Sequence, residues 1–305
     1  MPSAFCVSVA AVIGANAAGQ VQTRAAAATP EEDAGQTRKS NSRALLFLGM
    51  AMAHYGCQGM GSEGAGGEGR RTVSVAAAAD LKFALEDLVG SFQAAHPGIG
   101  VEVTYGSSGN FFAQLSNRAP FDLFLSADVE YPRRLVEDGL ADPRSEFLYA
   151  VGQIVLWVPR SSPIDVEALR EKALLDPAVR KIAIANPRHA PYGRAAEAAL
   201  DSLGVLAAVR DRLVLGENVA HTAQFVESGA AEVGVIALSL ALAPPLQKEG
   251  RYWLFPLDTY PRMEQGGVLL NWAKDREAAM ALRAFVVSAE GRSTLRRYGF
   301  ILPGD

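Results

Sequence analysis

Four short segments of this chain combine small or polar residues with the predicted start of a helix. Each follows an apolar, strand-like run or the loop after it, and together they are residues 79–80, 107–109, 191–193 and 218–219. The first turn of a helix has backbone N–H groups without intrahelical partners and carries a partial positive charge. Several such turns facing one crevice would bind an anion without any basic side chain. The pattern therefore predicts an oxyanion receptor.

The elements that must position these segments alternate between strand and helix. Continuous or alternating apolar runs predict strands, and apolar residues at helical spacing predict helices. Strands are expected at 73–79, 101–105, 121–125, 153–158, 182–184, 233–238 and 252–255, and helices at 81–92, 111–115, 129–138, 166–174, 194–203, 220–228 and 276–287. This alternation is typical of α/β domains.

Size and charge limit the functional class. A chain of 305 residues with 49% hydrophobic content can form two α/β domains, or one large one, around a substantial core. The formal net charge of -4, with acidic and basic residues evenly mixed, lacks the basic stripe of nucleic-acid-binding proteins. We therefore expect no nucleic-acid partner.

The residues that usually carry catalysis or bind metals are sparse. Both cysteines, Cys6 and Cys57, lie upstream of the patterned region, which begins near Thr72. A region without thiols has no disulfide, zinc–thiolate site or cysteine nucleophile. The four histidines show no metal-binding spacing such as H-E-x-x-H. We expect no catalytic residue, no cofactor and no directly coordinated metal.

Residues 1–71 are predicted to be a mostly disordered leader that contains an export signal. A basic segment at 38–43 precedes a short apolar run at 44–53, and Cys57 follows a few residues later. This order resembles a bacterial export signal, and the run is too short to span a membrane. Lipidation of Cys57 stays open, because residues 54–55 are His-Tyr where lipobox-like signals carry Leu and a small residue.

The segments on either side of this signal lack periodicity. Residues 1–42 are rich in Ala, Gln, Thr and Ser, which predicts either disorder or a start codon assigned too far upstream. The glycine-rich residues 58–69 are typical of a flexible linker. A soluble domain in the periplasm, tethered to the membrane if Cys57 carries a lipid, is the expected location.

Six motifs in the patterned region resemble those of periplasmic molybdate-binding proteins of ABC importers. The motifs are A-A-A-x-L (77–81), Y-G-S-S-G-N (105–110), F-D-L-F-L-S-A-D (121–128), N-P-R-H-A-P-Y-G (186–193), G-E-N-V (216–219) and R-Y-G-F (297–300). The resemblance implies a type II periplasmic binding protein, with two α/β lobes joined by two crossing strands and a ligand cleft that closes by hinge motion. Lobe one would comprise 73–153 plus 261–305, and lobe two 154–260.

The same resemblance implies five ligand-binding residues. Ser108 matches a hydroxyl ligand, and Val219 matches a backbone contact. Tyr192 would contribute its backbone N–H and its hydroxyl. Ala79 stands where the family usually has Ser or Thr, so a contact there must come from the backbone N–H. Asp80 is the fifth residue, and its carboxylate would repel a dianion unless it is turned away.

Two departures from the family pattern bear on specificity. We favour Asp80 as a cap for the helix that starts at Leu81. The alternative is a carboxylate that faces the pocket and accepts a proton from hydrogen phosphate, which would make phosphate the ligand. Ala237 stands where one branch of the family carries a ligand tyrosine, and another branch uses a tyrosine at the position of Tyr192.

The resemblance implies a monomeric, non-enzymatic receptor that captures molybdate or tungstate and delivers it to an ABC permease. A receptor for phosphate or sulfate is the main alternative. A serine hydrolase is disfavoured because G-S-S-G at 106–109 is not the G-x-S-x-G elbow. An effector-sensing domain of a regulator is disfavoured by the export-like leader.

Overall fold

The computed structural model describes residues 71–305. The predicted leader therefore lies outside the described residues, except for Arg71, which is the first residue of a strand. No helix in residues 71–305 has both the length and the apolar character needed to cross a bilayer.

Residues 71–305 form ten strands and eleven α-helices. The strands are β1 (Arg71–Ala78), β2 (Ile99–Gly106), β3 (Leu123–Ser126), β4 (Phe147–Gly152), β5 (Ile154–Pro159), β6 (Ile182–Ala185), β7 (Leu213–Gly216), β8 (Val233–Ala237), β9 (Gly250–Leu254) and β10 (Met263–Leu269). The helices are α1 (Lys82–Ala95), α2 (Ser108–Ser116), α3 (Glu130–Glu137), α4 (Val166–Leu169), α5 (Pro191–Ser202), α6 (Leu206–Val209), α7 (Val219–Glu227), α8 (Leu238–Ala241), α9 (Pro244–Glu249), α10 (Arg276–Val286) and α11 (Ala289–Arg297). A 3-10 turn at Ala79–Leu81 links β1 to α1.

The strands build two five-stranded sheets of the same design. The first has the order β2-β1-β3-β10-β4, and the second has the order β7-β6-β8-β5-β9. In the first sheet β1 runs parallel to β2 and β3, whereas β10 is antiparallel to β3 and β4. In the second sheet β6 runs parallel to β7 and β8, whereas β5 is antiparallel to β8 and β9. Each sheet therefore has four strands that run in one direction and one antiparallel strand inserted next to an edge.

Both sheets are covered on their two faces, which explains their nearly continuous apolar strands. Along β1, Val75 and Ala77 pack into one hydrophobic cluster with α1, α10 and α11, while Ala76 packs into another with Phe111 and Phe124. β5 is buried from Ile154 to Val158. Strands buried on both sides hold the ends of the sheets, where the loops begin, in fixed positions.

The chain crosses between the sheets twice. It leaves the first sheet after β4 and enters the second at β5, with Gln153 as the only residue between the two strands. It returns through residues 255–262, between β9 and β10. In both sheets the antiparallel inserted strand is the first strand after a crossing. These strands are β5 in the second sheet and β10 in the first.

The carboxyl ends of the parallel strands lead into helix starts. β1 leads into the Ala79–Leu81 turn, β2 into α2, β6 into α5 and β7 into α7. In α/β sheets the crevice outside these strand ends is where ligands bind. These strand ends in the two lobes face each other across the cleft, and the helix starts that follow them line the candidate site.

Some elements differ from the sequence prediction. Strands β4, β7 and β10 were not predicted, and neither were α6, α8, α9 and α11. β10 contains Gln265 followed by Gly266 and Gly267, with a break in its register with β4 between Gln265 and Gly266. A polar residue and two glycines weaken the strand signal, and here they mark a β-bulge.

Candidate functional site

One small cavity between the lobes brings together all five residues that the sequence singled out. Its volume is about 10 Å³, on the scale of one water molecule. A cavity of this size suits a small guest and excludes drug-sized ligands. The residues that line it are Ala78, Ala79, Asp80, Gly106, Ser107, Ser108, Ala127, Ala190, Pro191, Tyr192, Asn218 and Val219. None of these is lysine or arginine, so an anion here would meet hydroxyl and amide donors.

Ser108 is fully buried at the first position of α2. Its Oγ accepts a hydrogen bond of 3.0 Å from the backbone N–H of Ala127. The helix cap is Ser107 instead, because its Oγ accepts from the backbone N–H of Asn110 at 3.3 Å. The Ser108 hydroxyl proton is therefore free to be donated into the cavity.

Tyr192 and Val219 lie in the first turns of α5 and α7. The backbone N–H groups of Ser108, Tyr192 and Val219 have no acceptor among residues 71–305, as expected for first-turn positions. Asn218 caps α7 by accepting from the N–H of His221 at 2.9 Å, which matches the predicted cap. The cavity thus has three helix starts with unpaired amides and one hydroxyl donor.

The Asp80 carboxylate does not cap a helix, which differs from the interpretation that the sequence favoured. The cap positions of the 3-10 turn and of α1 are Ala78 and Leu81, and neither makes a side-chain cap bond. Instead, Oδ2 of Asp80 accepts from Nε2 of Gln265 at 2.7 Å and from the Tyr192 hydroxyl at 3.0 Å. The Tyr192 hydroxyl is therefore engaged with Asp80, and its backbone N–H is the group left for a ligand.

Asp80 is an unusual carboxyl group because only 1% of it is exposed. Burial raises its pKa to about 6, against the lowering effect of the hydrogen bonds from Gln265 and Tyr192. Its second oxygen, Oδ1, has no hydrogen-bond partner among the described residues. A buried carboxylate with one unpaired oxygen is costly to keep charged.

Besides the bond between Tyr192 and Asp80, three hydrogen bonds from the start of α2 join the lobes beside the cavity. The N–H of Gly109 donates to the carbonyl of His189 at 2.9 Å. The Ser107 hydroxyl lies 2.9 Å from Nδ1 of His189, and Nδ2 of Asn110 donates to Oε1 of Glu217 at 3.2 Å. Each bond joins the start of α2 to a loop of the other lobe, so the structure is in a closed arrangement.

Sequence reasoning did not identify Gln265 or His189 as parts of the site. Gln265 is fully buried on β10 and bonds to Asp80. The signal that could have found it is a lone polar residue before Gly-Gly in an apolar run, which is typical of a bulge near a functional site. His189 lies within the N-P-R-H motif and contacts the start of α2, but nothing in its spacing indicated that contact.

The fold and the site define a type II periplasmic binding protein, with two mixed α/β sheets and a cleft between them. The chain belongs to the bacterial extracellular solute-binding protein family, whose model matches residues 73–301. It is a solute-binding protein and not an enzyme. The predicted fold class and family resemblance are therefore confirmed.

Several proteins that are similar to this chain have names that state a ligand. The chain is 35% identical to the molybdate-binding protein ModA of Rhodobacter capsulatus over 213 residues, which cover 70% of this chain and 82% of the relative. It is 35% identical to ModA of Azotobacter vinelandii over 228 residues, covering 75% and 89%. The solved periplasmic molybdate-binding protein of Azotobacter vinelandii superimposes with a TM-score of 0.71 at 31% identity, covering 76% of this chain and 99% of that structure.

Proposed function

We propose that this protein captures molybdate or tungstate outside the cytoplasm and delivers it to the permease of an ABC importer. The observation that carries the proposal is the cavity between the lobes, which has hydroxyl and amide donors and no basic side chain in its lining. Such a site suits a small, fully deprotonated tetrahedral anion, which offers only acceptors. The ligand named for the relatives, molybdate, has this chemistry.

The proposed ligand contacts come from both lobes. The Ser108 hydroxyl and backbone N–H would donate from the first lobe, and the backbone N–H groups of Tyr192 and Val219 from the second. Ala79 and Asp80 would contribute the backbone of the turn after β1. Because neutral donors bind an anion less tightly than buried arginine would, such a site is compatible with release to a permease.

The lobes are proposed to comprise 73–153 plus 261–305 and 154–260. The strand membership of the two sheets supports this division, since β10 lies in the first sheet and β9 in the second. We further propose that the protein acts in the periplasm as a monomer, with Cys57 as a candidate attachment point for lipid. A ligand that bonds to both lobes would favour the closed arrangement, and the permease would bind that form.

A phosphate receptor is the second candidate, and Asp80 is the observation that favours it. A charged carboxylate with an unpaired oxygen beside the cavity could accept a hydrogen bond from the proton that hydrogen phosphate carries. In that case the carboxylate would be charged in the complex, and a fully deprotonated anion would be rejected.

Isothermal titration of the full-length chain with molybdate, tungstate, sulfate and phosphate separates these proposals. We expect molybdate and tungstate to bind at micromolar concentrations or below, and sulfate and phosphate to give no heat. Binding of phosphate or sulfate without binding of molybdate would contradict the molybdate proposal.

A further inference from the structure

Asp80 lines the proposed anion cavity, although its carboxylate carries the same sign of charge as the ligand. The cavity is small, about 10 Å³, so a dianion held there lies close to Asp80 and within the electric field of its carboxylate. Either the dianion binds weakly, or one of the two groups, the dianion or the carboxylate, loses a charge on binding. Molybdate and tungstate stay unprotonated at neutral pH, which leaves the carboxyl group to take the proton.

We propose that Asp80 takes up one proton from solvent when the oxyanion fills the cavity, so that the complex holds a neutral carboxylic acid. This inference rests on the proposed function of the site. The proton forms an O–H bond on Oδ1, the oxygen without a partner, and returns to solvent when the anion leaves. Oδ2 remains the acceptor for Gln265 and Tyr192. A group that would repel the ligand thereby becomes neutral.

The surroundings of Asp80 favour this change because they supply no positive charge. The titratable groups that face it are two phenols, Tyr192 from α5 and Tyr149 from β4, and burial raises the pKa of both well above the usual value. Gln265 from β10 is neutral, and Ser239 from α8 donates to the Asp80 carbonyl at 2.7 Å. Both phenols therefore stay protonated, and none of these groups supplies a positive charge that would offset a carboxylate beside a dianion.

Basic side chains on the other elements packed against this turn point elsewhere. On α1, Nζ of Lys82 lies 5.3 Å from the ring centre of Phe83. On α7, Nδ1 of His221 lies 3.3 Å from the backbone N of Glu217, from which it accepts. In the empty site, burial raises the pKa of Asp80 to about 6, so the carboxyl group is mostly charged above neutral pH and has a proton to gain on binding.

Titration calorimetry of the full-length chain with molybdate in buffers of different ionisation enthalpy tests the inference. At pH 7.5 we expect the binding enthalpy to vary with buffer enthalpy with a slope near one proton taken up. The dissociation constant should rise about tenfold per pH unit between pH 7 and 8.5. The Asp80→Asn variant should show a slope near zero and a flat pH profile, and the exposed control Asp258→Asn should behave like the wild type.

The outcomes separate the inference from the function on which it rests. Absence of molybdate binding in every buffer would defeat both. Molybdate binding by the wild type with no proton uptake would overturn the inference alone, whatever the variants do. A bound complex that takes up a proton equally in wild type and Asp80→Asn would also overturn it, since another group would then be titrating.

Discussion

The Tyr192 hydroxyl donates a 3.0 Å hydrogen bond to Oδ2 of Asp80, although the two residues lie 112 positions apart and belong to different lobes. Gln265 completes a three-way contact, because its Nε2 lies 2.7 Å from Oδ2 and 3.2 Å from the Tyr192 oxygen. This buried polar contact spans the cleft beside the proposed anion cavity. Its charge state therefore affects both the stability of the closed form and the ligand that the cleft accepts.

Replacing Asp80 by Asn should stabilise the empty protein at pH 7.5. The pKa of Asp80 rises from 3.8 in the unfolded chain to about 6 in the fold, so the folded state binds more protons than the unfolded state between these values. Stability from this group is therefore greatest below pH 4, falls as pH rises, and is lowest above pH 6. A rise of roughly two pKa units corresponds to a loss of about 3 kcal/mol in the free energy of unfolding above pH 6. The uncharged amide of Asn would not cause this loss.

Thermal unfolding at pH 7.5 and pH 4.5 without ligand measures this effect. The Asp80→Asn protein should melt several degrees above the wild type at pH 7.5, and the gain should shrink at pH 4.5. Asp258→Asn removes a charge from an exposed site and should give no such pattern. An equal shift at both pH values would mean that the charge of Asp80 is not the cause.

Ser108→Ala and Ser107→Ala should separate ligand binding from helix capping. Loss of the Ser108 hydroxyl should weaken molybdate affinity by about 1–3 kcal/mol, the scale of a lost hydrogen bond to a charged group. Ser107 caps α2 and also bonds to His189 across the cleft, so Ser107→Ala should lower the unfolding free energy by about 1 kcal/mol and weaken molybdate affinity less than Ser108→Ala does. Calorimetric titration and urea unfolding of both variants provide the comparison. Equal losses of molybdate affinity in the two variants would show that Ser108 supports the structure of the helix start and does not donate to the ligand.

Much of the architecture was predictable from the sequence because both faces of the central strands are buried. The continuous apolar run before Asp80 and the Asn218 cap before α7 are local signals, and both correspond to elements of the structure. The partners of Asp80 were not predictable, since Tyr192 and Gln265 are 112 and 185 residues away. From the local sequence, a carboxylate between a strand and a helix is expected to cap the helix. The tertiary fold brings Tyr192 and Gln265 to this carboxylate, and it accepts hydrogen bonds from them instead.

Gly109→Ala should prevent full closure of the cleft. A Cβ at Gly109 would lie 2.5 Å from the carbonyl oxygen of His189 and 2.9 Å from its Cα. The clash with His189 forms only when the lobes meet. The third close atom, the Tyr131 hydroxyl at 2.9 Å, is the end of a side chain in the same lobe and can shift, so each lobe should still fold. We expect molybdate to dissociate at least tenfold faster, since the lost closure raises the off-rate more than it changes the on-rate.

Stopped-flow dissociation of molybdate measures this prediction, and Gly98→Ala is the matched control. A Cβ at Gly98 would meet no atom within 4 Å, and its backbone is not in the left-handed region. That variant should therefore dissociate at the wild-type rate. Unchanged dissociation in Gly109→Ala would show that the contact with His189 is not part of the bound form.

Gln265→Glu should make the stability of the protein strongly dependent on pH. The substitution puts a second carboxyl group at 2.7 Å from Oδ2 of Asp80, in the place of a donor. Two buried carboxylates that share a site hold one proton between them, and the pair titrates as a unit. The folded-state pKa of the pair rises above the unfolded value, so the variant should be folded well at pH 5 and lose stability as pH rises toward 8. Thermal unfolding across that range should show a steeper decline in melting temperature than in the wild type.

The control variant Gln247→Glu adds the same charge at an exposed position of α9 and should follow the wild-type profile. A parallel decline in both variants would mean that net charge causes the effect, and that the contact with Asp80 does not.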